Sequence, residues 1–482
     1  MDALNDIIVA FNDFAYTWIV VILLAVAGIW FTISTKAVQI RFIPTAIRTI
    51  LEKPIDKKAM SPFQALMVST ASRVGIGNIA GVTTAIVIAG PGAVVWMWIM
   101  ATLGAASAFV ESTLAQVYKR RDGSAFRGGP SYYIEQALKL RWLGVAFSIS
   151  LIVCYAYGFN ALQANNMVAT MAYYTGESWT AKIVIGLLIA AATAFTILGG
   201  QRHITWVTSV LVPIMASLYI LIGLGVIVTH LGSIPTVLSQ MFASAFDFQA
   251  IFGGFVGSVI MLGVKRGLFS NEAGMGSAPN AAAAAHTSHP AKQGFVQVVS
   301  VFIDTMIICS TTAFLVLTSG VDLTDDSIPA MAVVQNAVGS QFGEVGIALL
   351  SFAVLLFAFS SIIGNYYYTE SNMFFILKRH TSLVVFRSTV ILAVFIGSIV
   401  GYDLAWNVAD LFMIFMTVIN IPVILILGKQ ALLVLDDFIA QKKVGKDPVF
   451  VSSSVGIDTE CWNGEPSVMA DPKPAEPVAA TV

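Results

Sequence analysis

The sequence predicts an all-α membrane protein with eleven transmembrane helices. Of its 482 residues, 57% are hydrophobic and only 11% are charged, and the mean hydropathy is +0.82. A soluble protein of this length needs more polar surface than such a composition supplies. The apolar residues also gather in runs of about 20, the length at which an α-helix crosses about 30 Å of hydrocarbon. We therefore expect membrane lipid to surround most of the chain.

The eleven predicted spans follow one another with polar loops between most of them. They are expected at residues 15–35, 61–90, 92–117, 142–172, 182–199, 205–229, 258–285, 294–318, 343–376, 381–401 and 404–428. The segment before the first span carries three aspartates and no Lys or Arg, which is not typical of a cleavable signal peptide, so we expect this span to remain. It is an extra N-terminal span, and the other ten form a core.

Basic residues are concentrated in alternate loops and predict the orientation. Six Lys or Arg residues lie between the first and second spans, and six more lie between the third and fourth. Loops of this kind stay in the cytoplasm. The loop from Ser319 to Gly343 carries aspartates and no basic residue, as an outer loop does. The pattern predicts a multi-pass protein of the cell (inner) membrane with its N-terminus outside and its C-terminus in the cytoplasm.

Four regions are expected along the chain. Residues 1–60 hold the N-terminal span and a cytoplasmic loop, residues 61–230 and 231–430 hold the two halves of the core, and residues 431–482 form a cytoplasmic tail. Beyond Asp447 the tail is polar and contains several prolines, without apolar periodicity, which predicts disorder. The net charge of −1 argues against a nucleic-acid partner, and the three cysteines show no metal-ligand spacing.

A short motif occurs in both halves of the core. The first copy, RVGIGN, runs from Arg73 to Asn78, and the second, EAGMGS, runs from Glu272 to Ser277. Both have a charged residue, a small apolar residue, glycine, a large apolar residue, glycine and a small polar residue. The copies fall in the first and sixth core helices, which places the two halves in opposite orientations. We therefore predict a 5+5 inverted repeat in which these two helices are broken.

Broken helices at membrane depth indicate a binding site. In hydrocarbon, irregular backbone is tolerated only where it is buried in protein or lines a polar cavity. A break bares N–H groups that attract an anion and carbonyl groups that attract a cation. Two breaks that face each other form a site for a molecule with both charges. An amino acid zwitterion with a cotransported cation fits this description.

The alternative is that the glycines only allow close helix packing. Arg73 and Glu272 weigh against it, because an unpaired charge in mid-membrane costs several kcal/mol and marks a functional site or an ion pair. The two residues occupy equivalent motif positions with opposite charge, and we expect them to interact directly or through water. Two other carboxylates within spans, Glu111 and Asp410, are expected to be structural or gating charges.

Four long stretches resemble the alanine or glycine:cation symporter family. They are GPGAVVWMWIMATLG (90–104), FRGGPSYYIEQAL (126–138), KRGLFSNEAGMGSAPNAAAAA (265–285) and LFAFSSIIGNYYYTE (356–370). The segment VGIGN (74–78) is also similar to the broken first core helix of the sodium-coupled neurotransmitter symporters. The resemblance covers almost the whole chain apart from the tail. It implies a leucine-transporter-type fold of five plus five inverted helices behind one extra span, and sodium-coupled amino acid uptake.

The resemblance also implies a site. In that fold the amides of the first break bind the substrate carboxylate, and carbonyl groups of both breaks bind the amine. The implied substrate contacts in this chain are Ser72, Arg73, Gly75, Ile76, Gly77, Asn78, Gln163, Phe269, Asn271, Glu272, Met275, Ser361 and Asn365. The implied sodium ligands are the carbonyls of Ala71, Val74 and Phe357 and the hydroxyls of Ser360 and Ser361. The spacing alone does not distinguish sodium from a proton.

Two polar residues within the predicted spans each allow two interpretations. Gln163 either contacts the substrate or forms a hydrogen bond between helices. Asp304 is a lone carboxylate in an apolar helix, and it either helps to bind a metal cation or pairs with Arg73, Lys265 or Arg266.

The chain departs from the family at three positions. Many members have threonine where this chain has Arg73 and Ile76, and tryptophan where it has Asn365. Loss of the bulky ring enlarges the expected pocket and adds an amide, so the substrate is expected to be larger or more polar than alanine, glutamine for example. Arg73 is also a candidate to replace a second cation, which leaves the ion stoichiometry open.

The sequence therefore favours a sodium-coupled secondary active symporter that imports a small neutral amino acid by alternating access. Alanine, glycine, serine and glutamine are the candidates, and a proton-coupled carrier or an exchanger is the alternative. A membrane-embedded enzyme would need a nucleophile–base pair or metal ligands in the bilayer, and no histidine falls within a predicted span. A passive channel would show rings of like residues rather than a charge-complementary repeat.

Overall fold

The computed structural model describes most of the chain, and most of the described residues are helical. The described ranges are 2–53, 59–123, 125–247, 259–323, 328–377, 380–400 and 402–462. A short antiparallel hairpin of Arg120–Asp122 and Ala125–Arg127 lies in the basic loop after the third predicted span.

Nine helices within the described ranges are long and apolar enough to cross a membrane. They are Asn5–Ser34, Gly92–Val117, Arg141–Thr175, Trp179–Leu198, Gly200–Thr229, Pro290–Leu317, Ala330–Leu377, Ser382–Ile399 and Ala405–Lys443. A tenth crossing is formed by Pro62–Arg73 and Ile76–Ala89 together, which meet at an angle of 61°. Each of the ten corresponds to a predicted span, so the prediction of a mostly helical, multi-span membrane protein is confirmed.

The remaining predicted span, 258–285, is found as two shorter helices, Val259–Asn271 and Pro279–Ala284. Between them the chain is not helical, and Glu272, Gly274 and Gly276 have φ angles of 55°, 85° and 86°. Residues 248–258 lie outside the described ranges, so the count of eleven spans and the inverted repeat stay predictions. We call Pro62–Arg73 with Ile76–Ala89 the first broken helix, and Val259–Asn271 with Pro279–Ala284 the second broken helix.

Several segments between the spans are helical although the sequence suggested only loops. They are Val38–Arg41, Ile43–Ile50, Pro130–Leu138 and Ile234–Ala245. The predicted outer loop Ser319–Gly343 becomes helical at Ala330, and the long helix Ala330–Leu377 bends at Gly343, where φ is 62°. This part buries Val334, Ala337 and Val338 against the core. Its apolar face is too short to be detected as a membrane span.

The C-terminal region also differs from the prediction. The helix Tyr402–Lys443 runs through the expected boundary at residue 430, and the described chain stays folded to residue 462. Phe450 and Trp462 are only 2% and 1% exposed, so the segment after Asp447 is not disordered up to that point. Two aromatic side chains anchor it, and two such residues in a polar segment form no periodic pattern. Residues 463–482 lie outside the described ranges.

Three crossing helices contain a π-helical segment, and besides Tyr16–Val20 in the first of them, two such segments lie near candidate residues. One is Ile152–Phe159, just before Gln163, and the other is Ile303–Cys309, which includes Asp304. A π turn holds an extra residue and is frequent at functional sites. Both segments therefore lie at or beside residues that the sequence marked as candidates.

The two broken helices lie at the centre of the helix packing. The first half of the second broken helix and Pro290–Phe302 both pack against Gly92–Val117, and Ala330–Leu377 packs against the first broken helix and Asn160–Thr175. Outer helices such as Gly200–Thr229 expose large apolar side chains, as surfaces that face lipid do. The motif residues are therefore held by several helices at once.

The first broken helix begins with a capping box. Ser61 Oγ accepts a hydrogen bond from Gln64 N at 3.1 Å, and Gln64 Oε1 accepts one from Ser61 N at 2.9 Å. Both bonds satisfy backbone donors that a helix start leaves open.

The substitution Ser61→Ala is expected to lower the free energy of unfolding by about 1 kcal/mol, because one helix-start donor loses its acceptor. Thermal unfolding of the detergent-solubilised protein measures this change. Ser178→Ala is the matched control, because Ser178 precedes the helix Trp179–Leu198 without a side-chain capping bond. Equal destabilisation by the two substitutions would contradict the capping role.

Candidate functional site

The two breaks meet inside the protein. Ser72 Oγ of the first broken helix lies 3.0 Å from Oε1 of Glu272 in the second. Gly77 permits a close approach, since a Cβ atom there would lie 2.4 Å from Cε1 of Phe269. All four residues are buried. We call the buried region where the two breaks face each other the cradle.

Side-chain oxygens accept hydrogen bonds from N–H groups that the first break leaves without a helical partner. Asn78 Oδ1 accepts from Gly75 N at 3.0 Å, and Gln163 Oε1 accepts from Ile76 N at 3.2 Å. A Cβ atom at Gly75 would lie 2.8 Å from Gln163 Nε2, so only glycine allows Gln163 this close. The break thus presents N–H groups to an oxygen acceptor, as the motif predicts.

Two other helices hold the second break. Glu111 Oε1 accepts from Gly274 N at 3.2 Å, and Asn420 Nδ2 donates to Gly274 O at 2.9 Å and to Glu111 Oε2 at 2.8 Å. The Tyr133 hydroxyl donates to Asn420 Oδ1. The N–H and C=O of Gly274, which an intact helix would pair internally, are therefore satisfied by side chains. Glu111 acts as a structural clamp on the break.

The long helix Ala330–Leu377 brings the candidate sodium ligands beside the first break. Ser361 Oγ donates to the carbonyl of Val74 at 3.3 Å. One residue earlier, Ser360 Oγ donates to the carbonyl of Phe357 at 2.9 Å. The Ser361 hydroxyl and the Val74 carbonyl thus meet at one helix contact, whereas Ser360 bonds within its own helix and to Met215 Sδ at 3.1 Å.

The same helix touches the backbone at Ala71. A Cβ atom at Gly364 would lie 2.6 Å from Ser72 N and 3.1 Å from the carbonyl carbon of Ala71. The Val74 carbonyl, Ser361 and the backbone at Ala71 therefore lie along this contact. All five candidate ligands are uncharged oxygen groups, which suit a hard monovalent cation. Within the described ranges there is no group of three or more His, Cys, Asp or Glu residues suited to a metal ion.

Asp304 links the two broken helices. Its Oδ1 accepts from Asn78 Nδ2 at 2.6 Å, and its Oδ2 accepts from Ser270 Oγ at 2.6 Å and Thr305 Oγ1 at 3.0 Å. Asn78 Nδ2 and Ser270 Oγ are themselves 2.9 Å apart. One fully buried carboxylate therefore contacts both helices beside the cradle.

The three basic residues that the sequence suggested as partners of Asp304 contact other groups instead. Lys265 Nζ pairs with Asp410 at 2.9 Å. Among the described residues, neither Arg73 nor Arg266 forms an ion pair with Asp304. Hydrogen bonds, and not a neighbouring cation, hold this carboxylate.

Among the described residues, Arg73 and Glu272 form no direct ion pair, and their expected interaction through water stays a prediction. Arg73 Nη1 donates to Gln297 Oε1 at 3.0 Å. The two oxygens of Glu272 instead lie 3.0 Å from Ser72 Oγ and 2.7 Å from Ser277 Oγ. Arg73 Nε and Nη2 have no hydrogen-bond partner in the described part of the chain. Because serines already occupy the Glu272 carboxylate, the guanidinium contacts another helix.

Asn365 borders the cradle. Its Oδ1 lies 2.7 Å from Ser72 Oγ, and its Nδ2 donates to Asn160 Oδ1 at 3.0 Å. The Ser72 hydroxyl has one hydrogen, so it donates either to Asn365 or to Glu272 at a given moment. A side chain at position 365 therefore directly faces the contact between the two breaks.

Asn271 and Met275, both at the second break, make no hydrogen bond across the cradle. Asn271 Nδ2 donates to Thr305 Oγ1 at 3.3 Å, and Asn271 Oδ1 accepts from Ala273 N at 3.1 Å, so this side chain stabilises the turn of the second break. Met275 lies in that break, where its N–H donates to Glu272 O at 3.2 Å. Its side chain belongs to the apolar core. The structure gathers the other candidates around the first break.

Four residues of the site were missed in the sequence. They are Ser270, Ser277, Gln297 and Asn420. Ser277 ends the second motif and Ser270 lies two residues before it, so the position of both serines was a usable signal. Asn420 and Gln297 are isolated polar residues in apolar helices, and nothing local in the sequence tells which break they meet.

A cavity of about 300 Å³ lies at the end of the molecule that carries the basic loops. Its lining includes Met60, Gln64, Phe126, Arg202, Thr205 and Tyr367. The Tyr367 hydroxyl lies 3.6 Å from Met60 Sδ. Met60 precedes the first broken helix, and Tyr367 follows Asn365 by two positions, so this contact lies between the cavity and the cradle.

Comparisons with known proteins agree with this architecture. The model of the family described as the sodium:alanine symporter family matches residues 1–452. The amino-acid carrier protein AlsT of Bacillus subtilis (strain 168) is 45% identical over 463 residues, 96% of this chain and 98% of that protein. The probable sodium/glutamine symporter GlnT of the same organism is 40% identical over 465 residues, 95% and 96% of the two chains.

A solved structure also shares the fold. The crystal structure of MhsT in complex with L-phenylalanine matches with a TM-score of 0.55 and 14% identity, over 78% of this chain and 88% of that one. At this identity the likeness establishes the fold and nothing about the ligand.

The substitution Asn420→Ala is expected to lower the free energy of unfolding by about 3 kcal/mol, because it leaves the Gly274 carbonyl and a Glu111 oxygen without a donor in a buried site. Asn165→Ala is the matched control, since Asn165 Nδ2 also donates to two helix carbonyls, at 3.0 and 3.4 Å, from a partly exposed position. Thermal unfolding in detergent compares the two. A loss at Asn420 no larger than at Asn165 would show that the clamp contributes little.

Proposed function

This chain belongs to the sodium:alanine symporter family, and from this premise we propose that it is a sodium-coupled symporter that imports a small neutral amino acid by alternating access. The observation that carries the proposal is the meeting of two broken helices in one buried cradle. A relative named as a probable sodium/glutamine symporter supports both the ion and the class of substrate.

The substrate carboxylate binds the N–H groups of the first break. An amide oxygen of Gln163 accepts from Ile76 N, and a carboxylate oxygen would take its place. The substrate amine then lies toward Glu272 and the carbonyl groups of both breaks, which are favourable neighbours for a cation. Gln163 thereby becomes a substrate contact that also fills the site between transport events.

The surroundings of Asn365 favour glutamine among the candidate substrates. The side chain at this position faces Ser72, and an asparagine leaves more room there than a tryptophan would. Its amide is also able to hydrogen-bond with the amide of a glutamine side chain. Alanine, glycine and serine are small enough to enter the same site and are expected to compete.

Sodium binds at the contact between the long helix Ala330–Leu377 and the first break. We propose as its ligands the carbonyls of Ala71, Val74 and Phe357 and the hydroxyls of Ser360 and Ser361, and the contact between Ser361 and the Val74 carbonyl supports this. A site without a carboxylate holds a monovalent ion weakly enough to release it on the other side of the membrane.

Ion and substrate share one stretch of backbone, and this sharing couples them. The Val74 carbonyl faces Ser361, and two residues later the Ile76 N–H faces Gln163. A cation that fixes the Val74 carbonyl also fixes the amides that follow it. Each ligand then favours the conformation that binds the other, with a coupling free energy of about 1–3 kcal/mol in typical cases.

Proton coupling is the second candidate, and Asp304 is the observation that favours it. This buried carboxylate contacts both broken helices without an ion pair. A proton, or a second sodium ion, bound there would respond to relative movement of the two helices.

We place the end with the basic loops in the cytoplasm and the N-terminus outside.

Transport into proteoliposomes tests the proposed function. Labelled glutamine and alanine are offered with an imposed sodium gradient, and then with a potassium gradient and with a pH gradient instead. Accumulation above equilibrium is expected with sodium alone. Accumulation driven by the pH gradient would assign the coupling to protons. Equilibration that ignores every gradient would contradict symport.

A competition panel identifies the substrate. Unlabelled alanine, glycine, serine and glutamine are added in turn to the sodium-driven assay. Glutamine is expected to compete at the lowest concentration. A panel in which glutamine fails to compete would contradict the interpretation of Asn365.

The substitution Ser361→Ala is expected to raise the sodium concentration for half-maximal uptake by about tenfold, because one ion ligand and one partner of the Val74 carbonyl are lost. Ser398→Ala removes a buried hydroxyl that donates to its own helix at Phe395 and serves as the control. An unchanged sodium dependence in Ser361→Ala would exclude this ion site.

The substitution Asn365→Trp is expected to abolish glutamine uptake and to leave alanine uptake within about threefold, because the ring fills the side-chain end of the cradle. Uptake of both amino acids is compared in one proteoliposome preparation. Equal loss of both, or glutamine uptake as before, would contradict the assignment of Asn365 to substrate size.

A further inference from the structure

The chain after the helix Tyr402–Lys443 folds back onto the end of the protein that carries the basic loops. We call residues 447–462 the strap. Val449 exchanges two hydrogen bonds with the Gln441 side chain, both 2.9 Å long. Phe450 N donates to Ser288 O at 2.9 Å, and Ser288 Oγ donates to Pro448 O at 2.9 Å. The strap is therefore joined in both directions to the loop after the second broken helix.

Two aromatic side chains anchor the strap. Phe450 packs edge-on against the rings of His289 and Trp462, with centroids 5.2 and 5.5 Å apart. Trp462 Nε1 donates to Gln116 O at 2.8 Å. Ser452 N donates to Trp462 O at 3.0 Å, which closes the strap into a compact loop.

The Trp462 side chain covers a buried lysine. Lys119 Nζ lies 4.7 Å from the centre of the Trp462 ring and 4.1 Å from that of Phe126. It donates to Gln116 Oε1 at 2.8 Å and to Ala285 O at 3.2 Å. Cation–π contacts and two hydrogen bonds thus tie the strap to the residue that follows Pro279–Ala284.

The strap covers the place where the two broken helices are joined. His286 N donates to Met60 O at 2.9 Å, and Met60 pairs with Ala285 as a β-bridge. Met60 immediately precedes the capping residue Ser61 of the first broken helix, and Ala285 immediately follows the second. Opening of the cradle toward this end requires these two helix ends to separate. The strap is bonded to Ser288, three residues after Ala285, and contacts Ala285 itself through Lys119.

On its outer face, the strap is held by ion pairs whose carboxylates are exposed to solvent. Asp447 pairs with Lys292 at 3.0 Å, and Glu460 pairs with Arg120 at 3.7 Å, with carboxylate side chains 76% and 52% exposed. The Glu460–Arg120 pair is solvent-accessible on both sides and is therefore weak and screened by salt, whereas the Lys292 side chain of the other pair is only 3% exposed. The strap also lacks the apolar periodicity of a membrane helix, so its detachment leaves the spans intact.

We infer that the strap is a latch that holds the cradle closed toward the basic end, and that its detachment opens the cradle on that side. The inference rests on the proposed function for its biological meaning, because an inner latch matters only to a carrier with alternating access. The structural claim itself concerns the accessibility of the cradle and is testable without transport.

Accessibility of a buried position on the first broken helix measures the latch. Ser69 is fully buried and lies between Ser61 and Ser72, so Ser69→Cys reports opening toward the basic end. The background carries Cys461→Ser, which removes the partly exposed cysteine of the strap. A membrane-impermeant maleimide is applied to the basic side of membrane vesicles, and the labelling rate is measured without substrate. The background without Ser69→Cys gives the rate at the buried cysteines.

Two chain lengths are compared in this background. A chain that ends at Lys446 lacks the strap, and a chain that ends at Pro466 keeps it. The shorter chain is expected to label at least about fivefold faster than the full chain, and the longer one at the rate of the full chain. Trp462→Ala in the full chain is expected to accelerate labelling in the same direction, whereas Trp142→Ala, an exposed tryptophan at 69%, is expected to have no effect.

Monodisperse elution and an unchanged thermal unfolding profile of Trp462→Ala show that its labelling reports a folded protein, even where the truncated chain is unstable. An unchanged labelling rate in folded Trp462→Ala, or an equal rise in Trp142→Ala, overturns the latch. Failure of sodium-driven uptake by the full chain overturns the proposed function and leaves the labelling result valid. Faster labelling of folded Trp462→Ala, together with normal sodium-driven uptake by the full chain, supports both the latch and the proposed function.

Discussion

The structure depends on the requirement that every backbone N–H and C=O inside a membrane protein has a partner. Two buried helices are broken, and side chains from other helices replace their missing internal bonds. Gln163 does so at the first break, and Glu111 and Asn420 do so at the second. These partners come from distant parts of the chain, so the breaks are stable only in the assembled core.

The same constraint makes the backbone itself the recognition surface. Peptide dipoles in the breaks have fixed directions, so little reorganisation accompanies binding. The carbonyl of Val74 and the N–H of Ile76 point to different neighbours, although only Gly75 separates them. In the proposed function, the ion and the amino acid therefore bind to one short stretch of backbone.

The spans, the two motifs and the family were predictable from sequence, because apolar runs and paired glycines are local patterns. The partners of individual side chains were not. Arg73 and Glu272 hold equivalent motif positions, yet equivalent positions do not fix side-chain direction, and Arg73 contacts Gln297 instead. Asn420 clamps a break that is remote in sequence. The anchoring of Trp462 was equally hidden, since one aromatic residue in a polar segment carries no periodicity.

Ser72 has a consequence for what the cradle accepts. Its lone hydroxyl hydrogen stands between two acceptors, the Glu272 carboxylate and the Asn365 amide oxygen, so lone pairs outnumber hydrogens at this point. A primary ammonium group brings three hydrogens into that surplus, whereas a hydroxy acid of the same size brings one. For the proposed amino acid transport, we therefore expect the number of hydrogens, as well as charge, to distinguish an amino acid from its hydroxy analogue.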